Sequence, residues 1–272
     1  MTFWQSLLAF LDSSMETPAS FGWFHCLWLA ITFLALIPLL RFPKQQSDDH
    51  IRRVVLVTAI IVTVLEIYKQ INYSFSYESG IVFDYQWYAF PFQFCSTPMY
   101  IGLLAGLTKR GKVHDSLCAY LATYAVFAGT AVMIYPGDVF IETIGINIQT
   151  MICHGSMITI GIYLFATGHV KLEHKTILKA MPVFGVTVGL AAVMNEIAHL
   201  TGLLETETFN MFYISPYCDP HLLIYKDVQA VVPFPLSLVI YILGFTAAAY
   251  VILLMAMGIG KLVRKAKPAA VA

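Results

Sequence analysis

The chemistry this sequence can offer begins with a thiol and an imidazole, Cys95 and His154, carried on two separate apolar runs. A thiol attacks a carbonyl carbon only once ionised, and a neighbouring histidine can take its proton. Such a pair supports nucleophilic acyl transfer. Polar residues at helical spacing accompany both. Glu66, Lys69, Gln70 and Tyr73 fall at i, i+3, i+4, i+7 and share one helix face, and Asn147, Thr150 and His154 form a second stripe at i, i+3, i+7. Gln93 and Ser96 flank the cysteine, and Asn195, Glu196 and His199 close a further run. On this reading Asn147, Asn195, Glu196 or Asp219 orients the imidazole, while Gln93, Ser96 or Asn195 donates to a tetrahedral oxyanion. Glu66, Lys69, Gln70, Thr150, Glu196 and His199 would line the same cavity.

The same residues have plainer readings. Lys69 and His199 lie near the ends of apolar runs, from where side chains snorkel to the interface. Glu66 and Lys69 can join helices as an ion pair. His154 can be a satisfied core histidine, and a lone cysteine such as Cys95 more often packs than reacts. Only a shared depth for the two groups would favour chemistry, and depth is set by the elements that carry them.

Those elements are transmembrane helices. The 272 residues are 58% hydrophobic and 12% charged, with a mean hydropathy of +0.73, against roughly a quarter charged in soluble domains. About seven runs reach or approach the 20 or so residues needed to cross a bilayer as helix: 22–40, 54–73, 91–107, 116–135, 146–167, 177–199 and 232–257. They lack the alternation of barrel strands. The fold expected is therefore an all-α integral membrane bundle, multi-pass, in a bacterial cell membrane or a eukaryotic endomembrane.

Charge orients it. Alternate gaps are basic (Arg41/Lys44/Arg52/Arg53, Lys109/Arg110/Lys112, Lys171/Lys175/Lys179, Lys261/Arg264/Lys265/Lys267), and the intervening ones carry Glu78/Asp84, Asp138/Glu142 and Glu205/Glu207/Asp219/Asp227. Basic loops are cytoplasmic, which puts the N-terminus outside and the C-terminus in the cytoplasm. The zero net charge thus hides an asymmetry and points to no nucleic-acid partner. Four helices then aim polar groups at the outer half, with His154 deepest at about 12 Å. The inner half is almost purely apolar.

No cleavable signal peptide is evident. Residues 1–21 read as an outer-surface interfacial segment, 22–260 as one transmembrane domain and 261–272 as a basic cytoplasmic tail. The loop over 200–231 is a candidate lid or plug. Gly102 and Gly106 leave room for close helix packing or for an acyl chain, and Pro98 and Pro182 are possible kinks. Five cysteines show no CxxC or zinc-type spacing, so neither metal nor cofactor is expected. Cys118 reads as inert packing, and Cys26 and Cys218 share the outer side, where a disulfide between them is conceivable.

At these residues the chain resembles the YwaF-like integral membrane proteins, a family that includes the eukaryotic transmembrane protein 164. The resemblance rests on Pro91-Phe92-Gln93-Phe94-Cys95-Ser96, on Ile152-Cys153-His154 with Gly161-Ile162-Tyr163-Leu164, and on Asn210-Met211 with Asp219-Pro220. The Glu66–Lys69 stretch is similar too, and the match covers about residues 54–225. It implies a multi-helix membrane enzyme with a cysteine–histidine pair, a phospholipid acyltransferase in its eukaryotic branch. Cys95 and His154 are the positions that match the pair. Most bacterial relatives carry a histidine two residues before the cysteine, where this chain has Gln93, so His154 is left to act as base.

Three functions follow as expectations. The first is an acyltransferase or acyl hydrolase working on membrane phospholipid or another acyl lipid. The second is a transporter or scramblase whose cavity is lined by Glu66, Lys69, His154, Asn195 and Glu196, although no internal repeat supports it. The third, a seven-span receptor, shares only orientation and span count.

Overall fold

A computed structural model describes residues 2–41, 43, 46–78, 80–137, 139–219 and 222–266. Lys44 and Lys267 of the basic gaps, Asp138 of an acidic one, and Pro220 and His221 of the long loop lie outside the described residues. The bundle is built from α1 (Phe3–Leu11), α2 (Trp23–Leu34), α3 (Leu36–Leu40), α4 (Asp48–Asn72), α5 (Thr97–Leu107), α6 (Lys112–Ala122), α7 (Tyr124–Ile134), α8 (Ile144–Ala166), α9 (Lys175–Leu200), α10 (Leu223–Val231) and α11 (Phe234–Ala266). A small hairpin pairs β1 (Phe75–Ser76) with β2 (Val82–Phe83).

Among the described residues, six stretches are helical, long and apolar enough to cross a membrane: Trp23–Leu40, Asp48–Asn72, Lys112–Ile134, Ile144–Ala166, Lys175–Leu200 and Phe234–Val263. The expected third span differs. Residues 90–96 are irregular and only α5 is helical, 11 residues or about 16 Å long. Pro98 explains the start, because proline suits the first turn of a helix. It begins α5 rather than kinking a longer helix. Pro182, by contrast, sits inside an unbroken α9.

The expected fourth span is interrupted at Thr123, between α6 and α7. Its hydroxyl donates to the Ala119 carbonyl at 2.7 Å, the back-bonding by which threonine bends helices. The last span runs on to Ala266, so the first residues of the expected tail continue the helix.

Helix α8 is the centre, packed by α2, α4, α6 and α7. Small residues bring its neighbours close, as is usual where lipid supplies no drive for association. A Cβ on Gly129 of α7 would stand 2.6 Å from the His154 carbonyl oxygen. Gly155 and Gly161 leave no room against Thr32 and Val126. Gly102 and Gly106 do the same for α5 on α4, where their Cβ atoms would meet Ala59 at 3.0 Å and Leu56 at 2.5 Å. Close packing, not space for a chain, is their role.

The segment before the first span is tied down. Thr2 and Gln5 form a capping box on α1, Tyr68 donates to the Leu11 carbonyl and Thr143 donates to Asp12. Phe3, Trp4 and Phe10 remain exposed.

Candidate functional site

Cys95 and His154 line one cavity of about 550 Å³, in the half of the bundle away from the basic gaps. That volume is in the range of small-molecule pockets. Cys95 is placed by the irregular 90–96 segment, one residue before Ser96, the N-cap of α5. His154 lies ten residues into α8, about 15 Å along its axis. Its Nδ1 is 2.7 Å from the Thr150 carbonyl. A carbonyl only accepts, so Nδ1 carries the proton and Nε2 presents a lone pair. That Nε2 is buried with no hydrogen-bond partner among the described residues. A buried imidazole nitrogen without a partner is costly unless something transient uses it. The Cys95 thiol shares the cavity without a hydrogen bond to His154, and catalytic bonds commonly tighten only with substrate bound.

Glu66, also on the cavity wall, is buried yet fully engaged. Its Oε1 pairs with Lys69 Nζ at 2.7 Å and accepts from Gln70 Nε2 at 2.8 Å, and its Oε2 accepts from Gln149 Nε2 at 3.2 Å. Tyr85 in turn donates to Gln70 at 2.6 Å. Gln149 also reaches Cys153, a second thiol on the cavity wall. Neither Gln149 nor Cys153 is singled out by helical spacing alone. Phe127, Ala128, Ala131, Val132 and Phe245 make an apolar part of the wall.

The amides expected to orient or donate serve the backbone instead. Gln93 accepts from the Phe212 N–H at 2.9 Å and donates to the Asn210 carbonyl at 3.0 Å. Asn195 clasps Met211, accepting from its N–H at 2.7 Å and donating to its carbonyl at 3.0 Å. Asn147 does the same for Ile141, accepting at 2.9 Å and donating at 2.7 Å. These clamps fix non-helical chain around the cavity. Phe212 and Tyr213 adopt left-handed backbone with φ of 57° and 55°, a conformation that persists only where the surroundings impose it. Phe212, Tyr213 and Leu222 line the cavity, so the long loop closes one side of it.

Of the other expected residues, Ser96 and Thr150 are on the cavity wall and Gln70 is behind it, holding Glu66. Asp219 is exposed. Glu196 and His199 are exposed too, off the cavity: Tyr217 stacks on His199 at 3.7 Å and donates to Glu196 at 2.7 Å. They face outward because α9 turns Asn195, not its neighbours, toward the loop. Cys26 and Cys218 are both free thiols.

A family model described as the TMEM164 family matches residues 20–257. The chain belongs to the TMEM164 family. Comparison with curated proteins and with solved structures finds no match. With six membrane-length helices among the described residues, this TMEM164-family chain is a multi-pass integral membrane protein. The match covers every element that builds the cavity, from Glu66 on α4 to Phe245 on α11.

Proposed function

We propose that this TMEM164-family protein is a membrane-embedded acyl-transfer enzyme, with Cys95 as nucleophile and His154 as general base. The observation that carries the reading is the unpartnered, buried Nε2 of His154 in the cavity that Cys95 also lines. In the first step Nε2 takes the thiol proton and the thiolate attacks the carbonyl of a lipid acyl ester. The tetrahedral intermediate collapses to a thioester as the imidazolium protonates the departing alcohol. In the second step His154 deprotonates an acceptor alcohol, or water in a hydrolase, which attacks the thioester and frees the thiol. Ser96 is the expected oxyanion donor that lines the cavity and is not committed to a loop clamp. The apolar wall suits a fatty chain entering from lipid. With the basic gaps in the cytoplasm, the cavity opens to the outer leaflet.

The polar groups of the cavity argue against a transport path. Glu66, Lys69, Gln70 and Gln149 satisfy one another, leaving little to hand a solute along.

The deciding measurement is the intact mass of purified protein incubated with acyl phospholipids, followed by peptide mapping. A fatty-acyl adduct on Cys95, absent from Cys95→Ala, is expected. Because Cys153 shares the wall, an adduct there with Cys95 untouched would reassign the nucleophile. Normal turnover by Cys95→Ala would end the reading, and solute flux surviving in that variant but lost in Glu66→Gln would replace it with transport.

A further inference from the structure

A second cluster of reactive side chains sits at the opposite end of the bundle, between α6 and the loop that follows α8. His114 and Cys118 occupy i and i+4 on one face of α6, and His169 meets them across the packing. The ligating atoms of all three lie within 4.8 Å of one another, and all three side chains are buried. Nothing in the acyl-transfer reading uses them. Among the described residues this is the one group of three such side chains close enough to share an ion.

The hydrogen bonds fix the proton of His114 and bracket that of His169. His114 Nδ1 is 3.0 Å from the Ala105 carbonyl, so it is the donor and Nε2 carries the lone pair. Arg110 Nη1 is 2.7 Å from His169 Nδ1. The Asp48 carboxylate is 3.1 Å from the same Nδ1; a guanidinium only donates and a carboxylate only accepts, so either tautomer of His169 has a partner there. His169 Nε2 is 2.7 Å from His114 Nε2, and the Cys118 sulfur is 3.4 Å from the same His114 atom. With the proton on Nε2, two donors converge on the His114 lone pair; with it on Nδ1, two imidazole lone pairs face each other at 2.7 Å. Either way three buried side chains lack a matched set of donors and acceptors.

We propose that His114, Cys118 and His169 bind a single transition-metal ion of the zinc type. An ion at that point removes either mismatch and gives each ligand atom a partner. Imidazole and thiolate are the donors such ions prefer. Zinc–nitrogen and zinc–sulfur bonds at a tetrahedral angle would separate nitrogen from sulfur by about 3.6 Å and the two nitrogens by about 3.4 Å. The first spacing is nearly present between His114 and Cys118, the Cys118 and His169 ligand atoms lie within 4.8 Å, and the second needs the two rings to part by about 0.7 Å. The outer partners are also in place. His114 is held by the Ala105 carbonyl, and the Asp48 carboxylate is 3.1 Å from His169 Nδ1, the carboxylate–histidine–metal arrangement that fixes ligand orientation.

The protons balance. On binding, the Cys118 thiol proton leaves and His169 holds its single proton on Nδ1, where Asp48 accepts it, so one proton per ion is released. Arg110 loses its contact with Nδ1 and keeps Asp48 at 2.9 Å and Asp115 at 3.2 Å. Those two carboxylates against one guanidinium offset the single positive charge of a divalent ion with one thiolate. A fourth position remains for water.

The test is titration of the detergent-purified, chelator-treated full chain with cobalt(II), read by absorbance, then displacement by zinc(II). We expect one ion per chain, a thiolate-to-cobalt charge-transfer band, tetrahedral cobalt bands, and loss of both when zinc is added. Cys118→Ala should remove the charge-transfer band and weaken affinity at least tenfold while its metal-free melting temperature stays near wild type, since the His114–His169 bond survives. His169→Gln should weaken affinity similarly, and Cys218→Ser should change nothing. A wild-type chain that shows no thiolate band at stoichiometric cobalt, or a band that persists in Cys118→Ala, overturns the site.

Discussion

The side chain on which the proposed chemistry turns is His154, and the Thr150 carbonyl gives it its direction. By holding Nδ1–H at 2.7 Å it leaves Nε2 as the basic atom, the role that a carboxylate or amide plays in other nucleophile–base pairs. Replacing the imidazole with a group that cannot take a proton, His154→Asn, should slow thioester formation by about 10²–10⁴-fold. Single-turnover acylation of Cys95 checks it, and a rate within threefold of wild type would remove His154 from the mechanism. Glu66 belongs to the scaffold at the same scale. Removing one member of a buried ion pair strands the other, at a cost of about 3–5 kcal/mol. Glu66→Gln should therefore lower stability in detergent unfolding through the unpaired Lys69. The double variant Glu66→Gln/Lys69→Met should recover much of the loss, and equal loss in both would show that the pair is not what holds this wall.

At the level of elements, the cavity exists because irregular chain is held where helix would otherwise fill the bundle. Asn195 is the clearest clamp. Asn195→Ala leaves the Met211 N–H without a partner and its carbonyl with only the Ile214 N–H at 3.4 Å, worth about 1–3 kcal/mol. Hydrogen exchange over 209–215 should accelerate while α4 and α8 stay protected; unchanged exchange would mean that Gln93 and Tyr241, whose hydroxyl donates to the Phe212 carbonyl at 3.0 Å, suffice to hold the loop. Gly129 positions the other wall. Gly129→Ala drives a methyl group against the His154 carbonyl, and a shift near 1 Å at a catalytic group can lower turnover about 10²-fold. Full activity with unaltered stability would show that α7 yields there. Most of the apolar runs and the helix-face spacing of Glu66 and His154, which line one cavity with Cys95, were legible in the chain, because run length and periodicity are one-dimensional facts. The clamps were not, since Gln93 and Asn195 find partners in a loop whose path depends on the whole bundle. Nor was the break at Thr123, a residue common in unbroken spans. His114 and Cys118 carry a readable i, i+4 spacing, but their third partner lies 51 residues beyond Cys118 and only packing brings it in.

For the whole molecule, the two clusters divide the bundle by chemistry: the cavity with Cys95 and His154 at one end, the His114–Cys118–His169 group among the basic loops at the other. Which end faces which compartment decides what each can do. Lys and Arg concentrate at the second end, so it should be cytoplasmic, where thiols stay reduced and Cys118 keeps the form a metal needs. The cavity then meets lipid of the outer leaflet. The arrangement is testable in intact cells on a Cys26→Ser/Cys218→Ser background with single added cysteines at two exposed positions, Glu205 and Lys112. A membrane-impermeant maleimide should label Glu205→Cys directly and Lys112→Cys only after permeabilisation. The reverse pattern would place the acyl-transfer cavity in the cytoplasmic leaflet and expose the metal site to the oxidising side. Cys118 would then be open to oxidation as well as to metal, and cobalt binding should require prior reduction.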